Sequence, residues 1–174
     1  VIVKVKMKLE KAPINMHVFT SIIPTSAEFN RLSEKWTNEG EFSCIHSFLV
    51  ANKMEDYKKK MGADVVASNL EHFEALLNNG ERFSYFVELV QYEFEEQDFE
   101  LSKADFGYFS HYEIDNFFDY VTKEPPLIKT EKERGKTAHP ELAVFISKSQ
   151  FESFMQAFLT LHRAKDMSDG PVLC

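Results

Sequence analysis

Four times along this 174-residue chain a serine or threonine stands three positions ahead of a glutamate at the head of an apolar stripe: Thr25 with Glu28, Ser68 with Glu71, Ser110 with Glu113, and Ser149 with Glu152. In such a capping box the hydroxyl and the carboxylate satisfy backbone donors that the first helical turn leaves unpaired, so each pair predicts a helix start. The stripes that follow are Phe29, Leu32 and Trp36; Leu70, Phe73 and Leu77; Ile114, Phe117, Phe118 and Val121; and Phe151, Phe154, Met155, Phe158 and Leu159. Their spacings of three and four place one face of each helix on a core. Gly40, Gly80 and the Pro125–Pro126 pair stand where the first three helices should stop.

Extended segments separate the boxes. Val1, Val3, Val5, Met7 and Leu9 alternate with Lys4, Lys6, Lys8 and Glu10, the pattern of a half-buried strand. His17–Ile23, Phe42–Val50, Asp64–Ala67 and Leu142–Ile146 read as further strands, and the β-favouring residues between Arg82 and Glu96 predict a long one. The expected fold is α+β: a mixed or mostly antiparallel sheet with about four capped helices packed mainly on one face. Residues 1–165 are expected to form a single globular domain, with a mobile loop at 124–140 and a flexible tail at 166–174.

Charge is distributed unevenly. Residues 83–122 hold ten carboxylates, thirteen aromatic rings and a single lysine, Lys103, which gives this window −9 in a chain whose net charge is −8. The rest of the molecule is therefore close to neutral. An acidic pole attracts basic surfaces and repels polyanions, so direct nucleic-acid binding is not expected. No apolar run reaches the length of a membrane span, and Val1–Lys11 is too short and too often interrupted by lysine to act as a signal sequence. Cys44 and Cys174 are the only thiols, and we read them as reduced in a cytoplasmic setting.

Familiar chemical motifs are missing. The six glycines are too dispersed for a phosphate-binding loop or a dinucleotide fingerprint, and there is neither a nucleophile elbow nor a paired-cysteine zinc pattern. His17, His72, His111, His139 and His162 lack metal-site spacing, although Glu93, Glu95 and Asp98 offer oxygens suited to a hard cation. No cofactor and no metal are expected. Cys44 and His46, two apart on a strand, face the same way, and a thiol beside an imidazole is the pair used in acyl transfer.

Two functional expectations follow. The first is an acidic protein-binding module, most concretely an inhibitor, immunity protein or antitoxin that masks a basic surface of a partner such as a nucleic-acid enzyme. Its contacts would be Tyr92, Glu93, Glu95, Glu96, Asp98, Glu100, Asp105, Tyr108, Tyr112 and Asp115. The succession of strands, capped helices and an acidic middle resembles small immunity and inhibitor proteins in general style, without a shared motif. The alternative is a small-ligand-binding protein or Cys/His-dependent enzyme that uses Cys44, His46 and a distant carboxylate, with a thiol of depressed pKa and an apolar pocket near Cys44 and His46 beneath the 124–140 loop. Surplus phenylalanine also allows homo-oligomeric assembly.

Overall fold

The computed structural model describes residues 11–94, 100–102, 106, 109–122, 144–162 and 172–173. Five strands, β1 (Asn15–Ile23), β2 (Cys44–Ala51), β3 (Phe83–Glu93), β4 (Phe109–Asn116) and β5 (Val172–Leu173), form one antiparallel sheet in the order β4-β1-β3-β2-β5. Among the described residues there are six helices: α1 (Ser26–Glu39), α2 (Met54–Met61), α3 (Ala63–Ser68), α4 (Leu70–Leu77), α5 (Phe117–Thr122) and α6 (Lys148–Leu161). The fold is α+β. Because β3 lies between β1 and β2 and runs against both, α1 carries the chain over β3 in a split β–α–β crossover.

Strand period sorts the side chains into two cores. Phe19, Ile23, Leu49, Phe83, Tyr85, Val87 and Leu89 point to one face, where α1 adds Phe29, Leu32 and Trp36 and α6 adds Met155. Ile22, Val50, Phe86 and Phe109 point to the other, where Tyr57 of α2, Val66 of α3 and Phe73 and Leu76 of α4 cover them. Helices expected mainly on one face therefore divide between two, and the reason lies in β1 and β3. Eight of the nine β1 residues are buried, so both surfaces of these central strands require cover. Each fully buried large apolar side chain contributes roughly 1.5–3 kcal/mol, which makes an uncovered second face untenable.

Local signals succeeded unevenly. Thr25 caps α1 by accepting from the Glu28 amide at 3.2 Å, and Gly40 ends it with φ +67°, its N–H bonded to the Trp36 carbonyl. The other three boxes fail. Ser68 closes α3 while Asn69 occupies the cap position of α4, and α6 starts one residue ahead of Ser149 with Ser147 at its cap position. Ser110 and Glu113 lie inside β4, where pairing with β1 outweighs the local helix signal, and only the short α5 follows. Consequently Ile114, Phe118 and Val121, expected in the core, are exposed, as are Leu70 and Phe154.

Asp64–Ala67, expected as a strand, forms most of α3 because that geometry drives Val66 fully into the second core. α2 was not among the expected helices, and its cap position holds Lys53 with no side-chain cap bond. Residues 144–147 have no regular structure, in place of the strand expected at Leu142–Ile146. Val172 and Leu173, assigned to the tail, pair with Leu49 and Phe48. Residues 1–10 and the 124–140 loop lie outside the described residues.

Candidate functional site

Of the ten acidic and aromatic candidates, Glu95, Glu96, Asp98, Asp105 and Tyr108 lie outside the described residues. Glu100 is exposed. Register brings Tyr92, Glu93 and Asp115 to one end of the sheet, where Asn15 and Met16 pair with Glu93 and Tyr92 on one side and with Asn116 and Asp115 on the other, while Tyr112 pairs with Phe19 in the middle of β1. They do not share one face. Glu93 and Tyr112 meet at His17 on the α1 side, whereas Tyr92 sits on the opposite face in a cluster with Cys44, Phe117 and Tyr120.

His17 is buried between its two partners, with Nδ1 2.7 Å from the Tyr112 hydroxyl and Nε2 3.2 Å from Glu93 Oε2. One neutral tautomer satisfies both, the phenol donating to Nδ1 and the Nε2–H donating to the carboxylate. Asn15 Nδ2 donates to the same Glu93 oxygen at 2.7 Å. These donors hold the Glu93 carboxyl below its ordinary range, while burial and the Glu93 charge push the Tyr112 phenol up. Nearby, Phe106 stacks on Phe19 at 4.7 Å, and the Ser21 hydroxyl donates to its carbonyl.

The stretch from Tyr112 to Val121 is different in character. Tyr112, Ile114, Phe118 and Val121 are exposed, the last three by more than half, with Glu113, Asp115 and Asp119 between them and no basic residue. Among the described residues β4 is the terminal strand of the sheet. Strand period sends Tyr112 and Ile114 to the α1 side of β4 and Glu113 and Asp115 to the other, so this edge presents apolar side chains on one face and carboxylates on the opposite one.

On the face covered by α2–α5, a polar row crosses four strands. His111 of β4 pairs with Thr20 of β1, Thr20 with Glu88 of β3, and Glu88 with His46 of β2. Period two puts Cys44 on the same face as His46, as expected, and the structure supplies the carboxylate. Cys44 Sγ is 3.1 Å from His46 Nε2, and His46 Nδ1 is 3.8 Å from Glu88 Oε2. Burial pushes the Glu88 carboxyl up, against the pull of His46, Lys60 and a hydrogen bond with Tyr120. Burial also pushes the Tyr120 phenol up and the Lys60 ammonium down; the latter lies 4.7 Å above the Phe48 ring.

One feature of the enzyme expectation is reversed. The Cys44 thiol is raised rather than depressed, first by burial and further by the Glu88 charge, although the Ile45 amide opposes this. Two described cavities, of about 870 and 430 Å³, are lined by Asn30 with α6 residues and by Val144–Ile146 with α6 residues; neither includes Cys44, His46 or Glu88. Glu88, Lys60, Tyr120 and His17 were not singled out from sequence as site residues. For Glu88 one signal was present, a carboxylate at an inward position in the middle of a strand.

Among the described residues, no group of three or more His, Cys, Asp or Glu side chains is placed to hold a metal ion, and no helix is long and apolar enough to cross a membrane. No family model, curated protein or solved structure matches the chain.

Proposed function

We propose that this protein is an acidic protein-binding module of the inhibitor or immunity type, acting in the cytoplasm on a partner with a basic surface such as the cleft of a nucleic-acid enzyme. The run from Tyr112 to Val121 carries the proposal: four exposed apolar side chains interleaved with three carboxylates along a terminal strand and the short helix after it. Aromatic and aliphatic anchors on the α1 side of β4 supply affinity once desolvated, while the carboxylates on the strand's other face steer a basic partner and reject a polyanion at longer range. Glu93 and Tyr112, fixed through buried His17, give the adjoining surface a rigid edge.

The test is capture of a partner on the immobilised protein at about 0.05 and 0.5 M salt, a range over which screening between exposed charges becomes strong. The wild type should retain a basic protein at low salt and release it at high salt. The Glu113→Lys/Asp115→Lys/Asp119→Lys variant and the Ile114→Ser/Phe118→Ser variant should both lose it. Equal retention by either variant, or retention that ignores salt, overturns the proposal.

A further inference from the structure

We infer that Cys44, His46 and Glu88 form a nucleophilic site that accepts an apolar acyl group from an ester or thioester. The inference stands apart from the docking surface in its reacting residues, Cys44, His46 and Glu88, although Glu113, Phe117 and Tyr120 border both. Three observations converge on it. The imidazole lies between thiol and carboxylate in the order a general base requires, Nε2 toward Sγ at 3.1 Å and Nδ1 toward Glu88 at 3.8 Å. The ring is fixed by strand geometry, because His46 and Glu88 are direct cross-strand partners and Cys44 is the next residue along the same face of β2. Solvent reaches the pair, for Cys44 is partly buried and the His46 side chain is 47% exposed.

The surroundings select the acyl group. Cys44 packs against a cluster of Met16, Val18 and Val90, edged by Tyr92, Phe117 and Tyr120, so the thiol has an apolar floor suited to an aliphatic or aromatic acyl chain. Besides His46, the groups that act on Glu88 are Lys60 from α2, Glu113 from β4 and Tyr120 from α5. With the thiol protonated at rest, attack proceeds by general-base catalysis. Sγ bonds the carbonyl carbon as the S–H proton passes to Nε2. The bond to the leaving alcohol or thiol breaks as that group takes the proton from His46, leaving a thioester on Cys44. Water then attacks the thioester, its proton moves to Nε2, and the thiol departs with it as the free acid forms. Cys44 and His46 are the catalytic residues; Glu88, 3.8 Å from Nδ1, is a positioning residue that offsets the charge the ring acquires.

The probe is 4-nitrophenyl butyrate. The full chain should release a burst of about one equivalent of 4-nitrophenolate, with a butyryl adduct mapped by mass spectrometry to the peptide bearing Cys44. Cys44→Ala should abolish the adduct, and His46→Gln should slow acylation by about a hundredfold. Glu88→Gln should move the acid limb of the pH–rate profile to lower pH, an effect that a merely structural role would not produce. Trp36 fluorescence distinguishes lost chemistry from lost fold. Absence of the adduct on Cys44 in the wild type overturns the inference, as does acylation of His46→Gln at the wild-type rate. The wild-type arm requires no variant to fold.

Discussion

Glu88 and Glu93, five positions apart on β3, show how opposite environments act on a single side-chain type. Glu93 accepts from Asn15 and His17 and is held below its ordinary pKa; Glu88, largely withdrawn from water, is held above it. A carboxyl whose pKa falls on folding stabilises the native state above its unfolded pKa and loses that contribution as pH drops through the folded value. One whose pKa rises destabilises the native state at high pH and ceases to do so on acidification through the unfolded value. Glu93→Gln should therefore lower the urea midpoint at pH 7, the gap closing below about pH 4. Glu88→Gln should raise the midpoint at pH 7, the gain vanishing as pH falls to about 4. A lowered midpoint for Glu88→Gln at pH 7 would mean that His46, Lys60 and Tyr120 outweigh burial. Sequence made the shared face of Cys44 and His46 legible, because strand period alone dictates it. The part played by Glu88 was hidden, since it depends on the β2–β3 register across some forty residues of intervening chain.

At the level of the element, identical short motifs had different fates. Thr25 caps α1, whereas Ser110 sits in a strand and Ser149 lies inside the first turn of α6. A capping box supplies about 1 kcal/mol, too little to oppose the eight-residue pairing of β4 with β1. Thr25→Ala should accordingly destabilise the protein by about 1 kcal/mol, and Gly40→Ala, at φ +67°, by roughly 1–2 kcal/mol because an alanine Cβ is strained there. Ser149→Ala should change stability by less than about 0.5 kcal/mol, as it removes no cap. Chemical denaturation of the three variants checks all three values; a loss at Ser149 as large as at Thr25 would show that the box at α6 works after all. α3 marks the same limit in the other direction. Its paired valines favour an extended chain, yet burial of Val66 between α2 and α4 selects the helix.

For the molecule as a whole, a sheet covered on both faces was partly written in the chain. Val18 with Phe19, Ile22 with Ile23, and Phe86 with Val87 are adjacent apolar pairs, and neighbours on a strand point to opposite faces. Such runs mark strands buried on two sides, a meaning obscured here by the polar alternation of residues 1–10. Among the described residues the two cores lie on opposite faces of the sheet, so their cooperativity depends on the strands shared between them. Trp36 is the sole tryptophan and is buried in the α1 core, while Phe73, fully buried, lies in the core across the sheet. Phe73→Ala should cost about 3–5 kcal/mol through lost contacts and a residual cavity. If both layers fold as one unit, Trp36 fluorescence should report a fall in midpoint equal to that seen by far-UV circular dichroism, although the ring removed is on the opposite face. A Trp36 midpoint left unmoved while circular dichroism loses an early, separate transition would show that α2–α4 unfold on their own, and that the central strands do not bind the two cores into a single cooperative body.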